Sequence, residues 1–162
     1  MSASPRASLM HAAFFLQGVL FLLGALLIIG VPRSRRARVF LGLVAANALG
    51  NIIIGAVHSG RVHVVGAAMA IVGGNAAILA GSAVIGTLGQ QRWYRRISSV
   101  LAVVGFLSLA MLMVNSATGT RHLLPSGAWE RGSVYSITTW QLLTAAILLA
   151  AQHQRPRDCG RP

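Results

Sequence analysis

Five apolar runs, each about twenty residues long, leave this chain few folds to choose from. They extend from Leu9 to Val31, Val39 to Val57, Val62 to about Thr87, Ile97 to Asn115, and Val134 to Gln152. A helix rising ~1.5 Å per residue needs ~20 such residues to cross ~30 Å of hydrocarbon. Strands are excluded, because an open sheet edge cannot satisfy its backbone in lipid and the runs lack the alternation of a barrel strand. The sequence therefore predicts an all-α polytopic membrane bundle of five transmembrane helices, flanked by short segments at residues 1–8 and 153–162. The first run is longer than the apolar stretch of a signal peptide and others follow it, so it is read as a retained span.

Charge predicts the orientation. All fourteen basic residues are arginine, and only Glu130 and Asp158 oppose them, for a formal net charge of +12. A nucleic-acid binder would spread such charge over a polar surface. Here only 10% of the chain is charged, and the arginines cluster between apolar runs. Arg33, Arg35, Arg36 and Arg38, then Arg92, Arg95 and Arg96, then Arg155, Arg157 and Arg161 fall on one side of the bundle; Arg6, Arg61, Arg121 and Arg131 fall on the other. The richer side is expected to be cytoplasmic, which places the N-terminus outside, the C-terminus inside, and the protein in a bacterial cytoplasmic membrane. Trp93 with Tyr94, and Trp129 with Tyr135, lie near span ends, where aromatic rings favour the interface.

The second and third spans carry small residues at four-residue steps: Ala46 and Gly50, then Gly66, Ala70 and Gly74, with Gly73, Ala77 and Gly81 beside them. Such steps let helix backbones approach closely, so these two spans should form the packed centre. Asn47, Asn51 and His58 share one face of the second span. Asn75 and Ser82 share a face of the third, and Ser108 and Asn115 a face of the fourth. Gln17 on the first span and Thr138, Thr139, Gln141 and Thr144 on the last are also polar. Two readings stay open: hydrogen bonds between helices, or a polar cavity that receives a headgroup or small amphiphile.

The second and third spans are joined by "HSGRVH", with His58 and His63 at its ends. In the expected topology His11, His58, His63, His122 and Glu130 all lie toward the outside, which makes an outer acid–base or metal site one reading and capping of helix ends the other. His58 and His63 flank a turn without the spacing of a helical ligand pair, so no metal site is assigned. Glu130 also suits a helix N-terminus, leaving Arg131 for a lipid phosphate. No GxSxG, GxxxxGK or GxGxxG motif occurs, which disfavours soluble-type hydrolase or nucleotide chemistry. The single cysteine, Cys159, forms no internal disulfide.

Three stretches, "HAAFFLQGVLFLLGALLI", "GNIIIGAVHSGRVHVVGAAMAIVGGNAAILAGS" and "GAWERGSVYSITTWQLLTAAILL", give the chain a resemblance over about residues 10–150. It resembles the bacterial membrane family catalogued as domain of unknown function 998. The resemblance rests on His63 followed by Gly66 and Ala67, on Gly74 with Asn75, and on Glu130, Arg131, Val134, Tyr135 and Trp140. Members of that family look like six-span proteins, so this chain is expected to begin at their second span and to lack the first helix and the loop after it.

The sequence thus predicts a small membrane protein that binds a lipid, an amphiphile or a membrane partner. Asn47, Asn51, Asn75, Arg131, Tyr135 and Trp140 are its candidate binding residues. The alternative is an intramembrane enzyme acting on a lipid or isoprenoid-like substrate through His58, His63 and Glu130. A transporter component ranks third, since no charge is placed at mid-membrane and no repeat is visible. Membrane lipid is the expected partner, together with a homo- or hetero-oligomer that covers the groove a missing helix would leave. Nucleic acid is not expected, and no cofactor is named.

Overall fold

A computed structural model describes residues 5–57, 59–119 and 123–154 of the protein. His58, Arg121, His122 and the tail from Arg155, with Asp158 and Cys159, lie outside the described residues. Five helices follow one another: α1 (Pro5–Ile29), α2 (Arg35–Ala56), α3 (Arg61–Gly81), α4 (Arg92–Thr118) and α5 (Ser126–Gln154). Each is long and apolar enough to cross a membrane, and no strand occurs among the described residues.

The helices begin or end where local chemistry permits, which is not always where the apolar runs do. α2 starts at Arg35, ahead of the expected Val39, because Ser34 caps it: the Ser34 hydroxyl accepts from the Ala37 amide at 3.1 Å. Capping of this kind satisfies one of the amides a helix start leaves unpaired. The arginines that follow continue the helix past the hydrocarbon, with long apolar stems that carry their charge outward. α4 likewise starts at Arg92, and α5 at Ser126.

α3 does the opposite. It stops at Gly81, short of the expected Thr87, and residues 82–91 fold back through turns and a single 3-10 turn at Leu88–Gln90. The Ser82 hydroxyl donates to the Leu79 carbonyl at 2.7 Å, and Gly86 takes a positive φ of 43°. Ile85 and Leu88 are nevertheless buried, so this apolar stretch plugs the end of the bundle without lengthening the helix.

α2 and α3 share the most extensive interface, α1 packs on α2, α5 packs on α4, and α3 joins the two pairs. At the α2–α3 crossing the position of a Cβ on Gly50 would overlap the backbone of Gly66 and Ala70. Further along, Gly73 faces the backbone of Leu43 and Asn47. Lipid offers these helices no hydrophobic drive to associate, so such backbone contact and interhelical hydrogen bonds hold them together. Around this centre Trp140 packs edge-on against Phe21 and Phe40, with ring centroids 6.3 and 6.4 Å away, and covers Gly81.

Candidate functional site

The asparagines expected to meet a ligand are spent inside the protein. Asn47 donates from Nδ2 to the Ala70 carbonyl at 2.6 Å, tying α2 to α3. Asn51 donates to the carbonyl and side-chain oxygens of Asn47 at 2.9 and 3.2 Å. Asn75 donates to the Ile71 carbonyl at 2.9 Å and to the Ser133 carbonyl at 3.3 Å, while Ser133 donates from its hydroxyl to the Gly105 carbonyl at 3.0 Å. Asn75 Oδ1 lies against Gly105, where no side chain would fit, and has no hydrogen-bond partner among the described residues. All three asparagines are buried; Asn47 and Asn75 join helices, and Asn51 braces Asn47 within α2.

At the end of the bundle that carries the α2–α3 turn, two imidazoles hold the last carbonyls of α2. His63 Nδ1 bonds the Val57 carbonyl at 2.8 Å, and His11 Nδ1 bonds that of Gly55. Because a carbonyl only accepts, each Nδ1 carries the proton. Both rings therefore satisfy orphan acceptors that a helix end always leaves. Glu130 is exposed near the start of α5, just past its first turn, and makes no ion pair among the described residues. No group of three metal-binding side chains forms among the described residues. Arg131 and Tyr135 are exposed on α5, Tyr135 by 61%.

Trp140 takes part in a hydrogen-bond ring that was not visible in the sequence. Its indole donates to the Ser98 hydroxyl at 2.9 Å, and Ser98 donates to the Tyr94 carbonyl at 2.8 Å. Thr144 donates to the Trp140 carbonyl at 2.7 Å. Its one proton being used there, Thr144 must accept from the Tyr94 hydroxyl, 2.8 Å away. Tyr94 and Trp140 thus each reach the other's backbone through one hydroxyl, and α4 and α5 are clasped by two relays running in opposite senses. Tyr94 is fully buried, which corrects its expected place in an interfacial belt; Trp93 beside it stays exposed. Two i, i+4 pairs, Tyr94 with Ser98 and Trp140 with Thr144, were the only signal available.

An apolar cavity lies on the opposite side of Trp140, between α1 and α5. It encloses about 400 Å³, within the usual range for a small-ligand site. Leu20, Gly24 and Ile28 form one wall and Thr138, Leu142 and Ala145 the other; Phe21, Phe40, Ile85 and Trp140 make the floor. Its lips are open, with Leu20 62% and Leu142 67% exposed on the outside of the bundle.

Gln17 closes the groove at its deep end, where its Nε2 donates to Gln141 Oε1 at 2.6 Å. Both residues stand near the middle of their spans, Ser8–Ile29 and Ser126–His153. Gln141 Nε2 is buried and has no partner among the described residues. Reversing both amides would keep the bond and leave the oxygen of Gln141 unpaired instead, so the pair has one unused hydrogen-bonding site either way.

The other end of the groove opens toward the arginine-rich face. Ile28 lines both the groove and a wider hollow bounded by Arg33, Ser34, Arg36, Ala37 and Val84. From Gln17 to Ile28 the wall extends ~17 Å along α1, about one leaflet of a bilayer with a ~30 Å core.

Five membrane-crossing helices with a side-opening apolar groove define a small multi-pass integral membrane protein. A family model described as "Protein of unknown function (DUF998)" matches residues 1–147, and the chain belongs to that family. Comparison with the curated proteins and with the solved structures gives no match.

Proposed function

We propose that the protein binds the chain of a membrane lipid or similar amphiphile in the groove between α1 and α5. In this reading it sits in a bacterial cytoplasmic membrane with its N-terminus outside, as the arginine distribution favours. The observation that carries the proposal is the Gln17–Gln141 pair. Two neutral amides placed at mid-membrane, one with a buried and unpaired group, mark the end of an otherwise apolar slot. The amides bond each other across the slot and end its apolar wall at mid-membrane depth, so a chain entering from the arginine-rich end would stop against them. Of the six binding residues nominated from sequence only Trp140 lines this groove, joined by Gln17, Thr138, Gln141 and Thr144 from the polar positions of the first and last spans, so the binding role moves from the outer mouth to the opposite half of the bundle.

Catalysis has less support. The Nδ1 of His63 is engaged by a helix-end carbonyl, and Glu130 is exposed at the start of α5.

Gly24 supplies the test. A Cβ there meets nothing within 4 Å, so Gly24→Leu should leave the helix packing intact while its side chain fills the slot. Exchanging glycine for a good helix former also favours α1, by up to about 1 kcal/mol. Native mass spectrometry of the full chain released from nanodiscs should show wild type retaining lipid and Gly24→Leu losing most of it, at unchanged helix content. Equal retention by both proteins would contradict the groove as the binding site.

A further inference from the structure

Resting on that reading of the groove, we infer that its occupant is an anionic phospholipid whose phosphate is held by Arg33 and Arg36. The two cavities share Ile28, and their other walls are contiguous: Val84 lines the hollow and Ile85 the groove, Ala37 the hollow and Phe40 the groove. A chain lying along α1 from the glutamine pair therefore emerges beside these two arginines. Arg33 and Arg36 are exposed, and no carboxylate pairs with either among the described residues.

The rest of the chain can offer little counter-charge. Its acids number two: Glu130 stands at the start of α5, at the far end of the bundle, and Asp158 lies outside the described residues. A guanidinium pairs best with a phosphate or carboxylate through two parallel hydrogen bonds, which gives geometry as well as charge. The start of α2 adds to this, since Arg36 belongs to its first turn, where the positive end of the helix dipole favours an anion even though Ser34 already holds the Ala37 amide. Dimensions agree: one leaflet's depth of apolar wall with cations at its mouth matches a phospholipid standing upright.

Seven arginines of α2, its approach and α4 lie on this face, and general attraction to anionic lipid is expected of all of them. What separates Arg33 and Arg36 is that they line the hollow continuous with the groove; Arg92 and Arg96 on α4 do not. The experiment uses that difference. Full-length protein is reconstituted in an equal mixture of phosphatidylglycerol and phosphatidylcholine with identical chains, and the lipids it retains are counted by native mass spectrometry.

Wild type should retain phosphatidylglycerol over phosphatidylcholine by on the order of tenfold. Arg33→Gln with Arg36→Gln should bring that ratio near one while total retained lipid persists. Arg92→Gln with Arg96→Gln removes the same charge from the same face and should leave the ratio unchanged. Should the double variant at the mouth fail to accumulate, Arg33→Gln and Arg36→Gln singly should each lower the ratio about threefold. A wild-type ratio near one, or an equal fall in the α4 variant, overturns the headgroup assignment. If Gly24→Leu at the same time abolishes retention, the groove survives that result; if Gly24→Leu retains lipid like wild type, the groove reading itself has failed.

Discussion

Gly50→Ala is expected to lower the stability of the bundle by about 3 kcal/mol, the upper end of what one inserted methyl group costs in a packed interior. The added carbon would fall on the amide nitrogen of Ala70 and the carbonyl oxygen of Gly66. Neither atom can rotate away as a side chain would, so α2 and α3 must separate along their whole crossing. The close contact given up there is the main source of helix association in lipid. Gly42 on the same helix meets nothing within 4 Å, and Gly42→Ala should be neutral or slightly stabilising. Unfolding both variants in mixed micelles compares them directly. Equal midpoints would show that the α2–α3 crossing is looser than the structure has it.

Trp140→Ala is expected to cost a similar amount, about 3 kcal/mol, for a different reason. The indole, 1% exposed, touches elements from four parts of the chain: Phe21 on α1, Phe40 on α2, Gly81 at the end of α3, and Ser98 on α4. Removing it leaves a cavity under the groove and breaks one relay of the α4–α5 clasp. Trp140→Phe separates these contributions, since it keeps most of the packing and loses only the indole donor, at about 1 kcal/mol. The same micelle titration should therefore rank wild type, Trp140→Phe and Trp140→Ala in that order. A phenylalanine variant as weak as the alanine variant would place the energy in the hydrogen bond instead of the packing.

These two positions also show what the sequence made legible. Gly50 was readable because small residues four apart have one common use between membrane helices, and a span in lipid must be helical whatever its neighbours are. The role of Trp140 was not. Its indole meets Ser98, forty-two residues away, and the groove beside it closes through Gln17 and Gln141, separated by 124 residues. Pairings of that kind depend on how α1 and α5 pack against α2, α3 and α4, about which hydropathy carries no information.

The arginine-rich segment before Val39 read as a loop because it is polar, yet its last arginines belong to α2, because a helix that leaves the hydrocarbon has no reason to stop there when Ser34 caps its start. Residues 82–87 read as span because they are apolar, yet they turn. Hydropathy reports depth and partners poorly, and the histidine set illustrates this: the sequence left His63 open between an outer site and the cap of a helix end, and its ring is bound to the end of α2.

The central claim is that the slot between α1 and α5 holds a lipid chain, and a photoreactive lipid tests it most directly. With a diazirine at the end of an acyl chain, illumination of the reconstituted protein should place adducts at the deep end of the groove, on Gln17, Gln141 and Leu142. Adducts spread over the outward side chains of α4, such as Val103 and Leu107, with none on α1 or α5, would contradict it.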